Sequence, residues 1–193
     1  MKLLAFVGSP RKKGNGNALV EALCAGAKKN GHETRIFHLI DQEVKPCIAC
    51  YACMSHKIDI CIHEDDFNTM AREIIAADTL VFATPVYMGQ ISGLMKVFFD
   101  RWITFSEPDF SIRHVNGKRF VTIVTSGAPA KEFKSVTTYL KHWLGKFFKM
   151  KHAGSITGGE LHELNDIKKQ PELLEEAKKL GESLYHLNKS GEE

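Results

Sequence analysis

Four of the five cysteines in this chain are crowded into one stretch, in the order Cys47-x2-Cys50-x2-Cys53-x7-Cys61. Three thiolates at two-residue gaps wrap tightly around one centre, and a fourth a few residues on can complete the ligands of a cubane iron-sulfur cluster. A structural zinc more usually shows two separated Cys-x2-Cys knuckles. The spacing also departs from the ferredoxin run of x2, x2 and x3 gaps with a following proline, since the last gap is longer here and Ile62 follows. Lys45, His56, Lys57 and His63 surround the loop and would offset the charge of thiolates, or serve as ordinary surface residues. His56 or His63 could add a ligand, though four thiols suffice. Cys24 stands alone at the margin of an apolar helix face and reads as a packed thiol.

A second group of residues suits an anion and a flat ring. The turn Gly8-Ser9-Pro10-Arg11-Lys12-Lys13-Gly14-Asn15-Gly16-Asn17 joins an apolar run to a helical pattern, where free backbone N–H groups and the helix dipole attract phosphate. No Gly-Lys-Ser/Thr closes it, and the third glycine of a dinucleotide fingerprint is missing, which favours a mononucleotide phosphate over a dinucleotide, the alternative being a merely flexible turn. The loop Thr84-Pro85-Val86-Tyr87-Met88-Gly89-Gln90 offers an aromatic and a thioether with close backbone approach, as an isoalloxazine ring requires. Ser126-Gly127-Ala128-Pro129 supplies a third turn, suited to presenting backbone donors to the ring's polar edge.

These loops need elements to carry them, and the chain supplies strand-like apolar runs alternating with helix-period segments. Strands are expected at Leu3–Val7, Thr34–Leu39, Thr79–Ala83, Phe120–Val124 and Ala153–Thr157. Helices are expected with apolar faces of Leu19, Ala22, Leu23, Gly26 and Ala27; of Phe67, Met70, Ala71, Ile74 and Ile75; and of Leu94, Val97, Phe98 and Trp102. Two more carry Phe133, Val136, Leu140, Trp143, Leu144 and Phe147, and then Leu173, Ala177, Leu180, Leu184 and Leu187. Such alternation predicts an α/β fold, a doubly wound, flavodoxin-like five-stranded parallel sheet of order 2-1-3-4-5. In it the polar second strand lies at an edge, and the cysteine loop (residues 46–63) opens at the same end of the sheet as the other loops. Residues 1–193 read as a single domain, without repeats or linkers.

Composition sets the outer limits. With 193 residues, 44% hydrophobic and 25% charged, the chain can bury a sizeable core, which excludes disorder. A net charge of +3 gives no basic field for nucleic acid. Leu3 to Val7 is too short for a secretory core, and no apolar run approaches the roughly 18 residues that span a bilayer. The expectation is a soluble, cytoplasmic protein whose cysteines are reduced or metal-bound, with no membrane partner.

Together these residues resemble the NADPH-dependent FMN reductase family of flavodoxin-like flavoproteins. The resemblance runs from Leu3 to about Ser126, through Gly8-Ser9-Pro10-Arg11, Gly14-Asn15, Asp65-Asp66, Pro85-Val86-Tyr87, and from Ser92-Gly93 to Lys96, Asp100 and Arg101. It implies that Ser9, Arg11 and Asn15 hold the FMN phosphate and that Pro85, Val86, Tyr87, Met88 and Gly89 line the flavin. Gly16 stands where such proteins often carry threonine, and Asn17 is the residue placed to compensate. Ser126 and Gly127 complete the expected cofactor site. The compact cysteine motif is similar to that of the iron-sulfur flavoprotein branch, which implies a [4Fe-4S] cluster on Cys47, Cys50, Cys53 and Cys61.

The implied function is electron transfer between that cluster and FMN, with a ferredoxin-like donor, a small-molecule acceptor and a homodimer or homotetramer. The alternative keeps FMN without a cluster, as an NAD(P)H-dependent FMN or quinone reductase. A third possibility is a non-catalytic flavodoxin-type carrier or a zinc-stabilised binding module. The basic charge balance disfavours the carrier, because docking to positively charged redox partners calls for an acidic surface.

Overall fold

The protein builds on a run that cannot face water on either side: Leu3, Leu4, Ala5, Phe6 and Val7 are all buried. The structure, a computed structural model, describes residues 1–55 and 57–184. Strand β1 (Lys2–Val7) pairs in parallel with β2 (Glu33–His38) on one side and β3 (Thr79–Tyr87) on the other. Beyond β3 lie β5 (Arg119–Thr125) and β6 (Lys151–Gly158), also parallel, giving the order β2-β1-β3-β5-β6. Among the five parallel strands this is the expected 2-1-3-4-5 arrangement. A two-residue antiparallel strand, β4 (Gln90–Ile91), folds back on the end of β3 and was not foreseen.

Side chains alternate across the sheet, so β1 feeds two cores. Leu4 and Phe6 join Phe67, Phe82, Phe98, Trp102 and Phe120 on one face, where Phe6 stacks on Phe98 with ring centres 4.7 Å apart. Helices α2 (Asp66–Ala76), α3 (Gly93–Asp100) and α4 (Lys134–Lys141) cover that face. Leu3, Ala5 and Val7 point the other way, against α1 (Asn15–Lys29) and α5 (Pro171–Ser183). Those two helices touch backbone to backbone, since a Cβ on Gly181 would stand 2.0 Å from the Leu23 carbonyl oxygen and one on Gly26 2.0 Å from that of Lys178. On β2 only Phe37 is buried, as its edge position requires.

Three local expectations need correction. Strand β3 does not stop at Ala83 but continues in register to Pro85 opposite Thr125, and on to Tyr87. On α3 the core positions are Met95, Phe98 and Phe99, while Leu94 and Val97 are half-buried; the chain then tightens into a 3-10 turn, Arg101–Phe105, that brings Trp102 and Phe105 inward. After α4 the helix widens to a π turn over His142–Phe147, with the Phe148 N–H donating to the Trp143 carbonyl at 2.9 Å. The wider turn rotates the register: Phe148 fills the core, Phe147 is half-buried and Trp143 is 37% exposed. Leu187 and His56 lie outside the described residues. No described helix is long and apolar enough to cross a membrane.

Candidate functional site

The carboxyl ends of β1, β3 and β5 open on a cavity of about 180 Å³, lined by Ser9, Arg11, Asn15, Gly16, Pro85, Val86, Tyr87, Thr125, Ser126 and Gly127. The turn after β1 is pinned by the Gly8 N–H to the Ala83 carbonyl at 2.8 Å, and by Ser92 Oγ to the Gly8 carbonyl at 2.6 Å. Helix α1 is preceded by Gly14 with no side-chain cap, and the Asn17 N–H turns back to the Gly14 carbonyl at 3.1 Å, so the N–H groups of Asn15 and Gly16 are left for a ligand. The far wall comes from the end of the chain, as Leu161, His162 and Leu164. His162 lies so close to Gly127 that a Cβ there would meet its Nδ1 at 2.7 Å.

Two of the residues expected to bind phosphate, Asn15 and Arg11, also tie this wall to the turn. Asn15 Nδ2 donates to the Glu163 carbonyl at 2.9 Å, and its Oδ1 accepts the Ile167 N–H at 3.1 Å. Arg11 Nη1 donates to the His162 carbonyl at 3.0 Å, leaving its other N–H groups at an exposed position. Ser9 Oγ accepts the Arg11 N–H at 3.1 Å and remains on the lining. Asn17 is outside the lining and donates to Glu21 at 2.8 Å. The Ser126 N–H is likewise taken, by the Gly158 carbonyl at 2.9 Å. Met88 and Gly89, at φ of 51° and 75°, form the two-residue hairpin turn between β3 and β4, outside the cavity lining; Met88 is fully exposed.

The cysteine loop leaves β2 at the same end of the sheet. Cys47, Cys50, Cys53 and Cys61 all line a second cavity of about 310 Å³, with Tyr51, His63, Arg101, Thr104 and Phe110. Helix α2 holds both ends of the loop. Asp66 accepts the Glu43 N–H at 2.8 Å and Asp65 the Lys45 N–H at 2.9 Å, while Asn68 Nδ2 donates to the carbonyls of Cys61 at 3.1 Å and His63 at 2.8 Å. Asp65 also caps α2 through the Phe67 N–H. From the opposite side, Arg101 donates to the Lys45 carbonyl at 2.8 Å, Thr104 to that of Ile60 at 2.6 Å and Arg113 to that of Cys53 at 2.7 Å.

The electrostatics of this cavity follow from its contents. Burial pushes the Cys53 thiol up, and the neighbouring charges of Cys61, Cys47 and Cys50 push it further the same way. Burial also raises Asp65, but hydrogen bonds from Arg101 and the Lys45 N–H outweigh it and hold the carboxyl below the usual range. Cys24, remote from the loop, is raised to about 11 by burial and behaves as the packed thiol expected.

Comparison with known proteins decides the family. The model for NADPH-dependent FMN reductase matches residues 1–159. An iron-sulfur flavoprotein of Methanosarcina thermophila is 31% identical over 192 residues, which covers 98% of this chain and 98% of that protein. The chain belongs to the NADPH-dependent FMN reductase family, in its iron-sulfur flavoprotein branch. A second iron-sulfur flavoprotein, of Archaeoglobus fulgidus, is 37% identical over 127 residues, 66% of this chain and 60% of its own length. In fold, the chain is similar to an NAD(P)H:quinone oxidoreductase from Methanothermobacter marburgensis, with a TM-score of 0.77 at 18% identity, over 96% of this chain and 98% of that one. By family the protein is an FMN-containing oxidoreductase.

The residues present fit both groups that the family and its branch bring to mind. For FMN, the uncapped start of α1 faces the cavity and Tyr87 presents a half-exposed aromatic edge. For a cluster, the four thiols ring one cavity, although among the described residues no group of three or more His, Cys, Asp or Glu closes on a single metal ion. A cubane takes one thiolate per iron, so its ligands stand around a volume rather than meet at a point. Two buried nitrogens beside that volume, Arg101 Nε and His63 Nε2, lack hydrogen-bond partners. The sequence pattern did not reveal Thr125, Leu161, His162 and Leu164, or the clamps Arg101, Thr104 and Arg113. Their partners lie far away in the chain, beyond the reach of any local pattern.

Proposed function

We propose that the chain passes electrons between a [4Fe-4S] cluster on Cys47, Cys50, Cys53 and Cys61 and FMN bound at the carboxyl ends of β1, β3 and β5. The observation that carries this reading is that four thiols ring one cavity at the sheet end where the flavin-type loops emerge. Bound FMN accepts two electrons and releases them singly while a cubane cluster passes one at a time, so the pair links two-electron to one-electron carriers. In this reading the first-turn N–H groups of α1, Ser9 Oγ and the free N–H groups of Arg11 bind the phosphate. Asn15 acts at one remove, by holding the wall formed by residues 161–167. Pro85, Val86, Tyr87 and Gly127 line the ring and keep water from it. Arg101, Thr104 and Arg113 fix the loop carbonyls so that the thiols stay around their cavity. A ferredoxin-like donor, a small-molecule acceptor, a homo-oligomer and a reducing cytoplasmic setting complete the proposal.

The second reading, NAD(P)H-dependent reduction of FMN or a quinone without a cluster, is favoured by the exposure of Arg11 and Lys13 at the cavity turn, where they can meet a nucleotide phosphate. Protein purified without oxygen separates the two. Flavin absorption together with iron and acid-labile sulfide is the expected result. Flavin without iron leaves only the second reading, and colourless protein that carries zinc overturns both.

A further inference from the structure

Arg101 is a charged side chain almost wholly buried. Its side chain is 1% exposed and that of its partner Asp65 is fully buried. Nη1 donates to Asp65 Oδ2 and to the Lys45 carbonyl, both at 2.8 Å, and Nη2 to Asp65 Oδ1 at 3.2 Å. The guanidinium also lies over the Phe67 ring, 4.6 Å from its centre. These contacts set the plane of the group and its direction. They leave Nε–H buried and without a partner, on a residue that lines the cavity the four cysteines share. Cys61 shares that lining.

The carboxylate and the carbonyl are served by Nη1 and Nη2, so the pair with Asp65 explains why the charge is tolerated but leaves Nε–H without an acceptor. A buried donor with no acceptor is costly, and a thiolate on iron is an acceptor of the right charge. Hydrogen bonds to cluster sulfurs and nearby positive charge both stabilise the more negative, reduced form.

We propose that Arg101 is a positioning residue of the cysteine centre: with a cluster held by the four thiolates, Arg101 Nε–H donates to the Cys61 sulfur and the fixed guanidinium raises the cluster's reduction potential. This rests on the cluster reading above. The Asp65 contact supplies the anchor and Cys61 the target. The residue is built into the 3-10 turn Arg101–Phe105, whose Thr104 holds the Ile60 carbonyl next to Cys61, so donor and ligand are referenced to the same short segment.

Two variants test it: Arg101→Lys, which keeps charge but loses the fork, and the double variant Arg101→Gln with Asp65→Asn, which removes both charges and leaves neither buried alone. Each is purified without oxygen and measured for bound FMN, iron and sulfide per chain, and cluster midpoint potential by paramagnetic-resonance titration. The expected result is wild-type FMN content with a lower midpoint in both variants. In the double variant the reduction equilibrium falls at least tenfold, about 59 mV for one electron. Iron-bearing variants that titrate with the wild type overturn the proposal and leave Arg101 a loop anchor. Loss of iron from both, with FMN retained, also overturns it, because holding the loop then accounts for the whole effect. Iron-free wild-type protein fails the cluster reading itself, and this inference falls with it.

Discussion

Cys53 is the most enclosed of the four loop thiols, 6% exposed, and Cys50 the most open. That contrast decides which substitution is informative. Cys50→Ser removes a ligand without emptying a packed position, so iron and sulfide per chain should fall while bound FMN stays at the wild-type ratio. Loss of both cofactors would instead make the loop part of the flavin site. At Asp65 the test is acidity. Its carboxyl titrates below the unfolded value of about 3.9, so the ion pair contributes fully above that pH and its contribution is lost as pH falls through the lower folded value. Asp65→Asn leaves Arg101 buried without its counter-charge, and denaturant unfolding at pH 7 should show a loss of about 3–5 kcal/mol. Stability of this variant should also fall less steeply than that of the wild type on the acid side of that window.

At the scale of elements, the contact of α1 with α5 is the tightest point. A methyl group on Gly181 has a backbone carbonyl in its way and no flexible side chain to displace. Gly181→Ala should therefore lose about 1–3 kcal/mol, read as a lower melting temperature at about 2–4 °C per kcal/mol. An unchanged melting temperature would mean that the helices separate freely. Elements were legible in the sequence wherever burial imposes a period. Strand β1 is apolar from Leu3 to Val7 because it is covered there on both faces, and β2 alternates because it is an edge. The π turn at His142–Phe147 was not legible, since Trp143, Leu144, Phe147 and Phe148 offer two apolar registers and only the packing around Phe120 and Trp102 selects one. Nor was the end of β3, where Pro85 looks like a strand breaker although it sits in register opposite Thr125. The candidate site divides in the same way. Segments at or just past a strand's carboxyl end, at Ser9, Tyr87 and Gly127, announced themselves, whereas walls and clamps that arrive from distant segments did not.

For the molecule as a whole, FMN binding should appear as stability. Free flavin at a hundred times its dissociation constant adds about 2.7 kcal/mol if it binds only the folded chain, and the melting temperature should rise with FMN concentration. Arg11→Ala should shift that rise to higher FMN concentration, while an unchanged curve would remove Arg11 from the phosphate site. Asn15→Ala acts through the wall, so it should lower the melting temperature even without flavin. Asn15 binds Leu161, Glu163 and Ile167, residues 146 to 152 positions further along the chain. During synthesis the phosphate turn leaves the ribosome early and its wall only after residue 167 has emerged. A nascent chain therefore displays the turn long before it can close this cavity, so the cavity is among the later features of the fold to form.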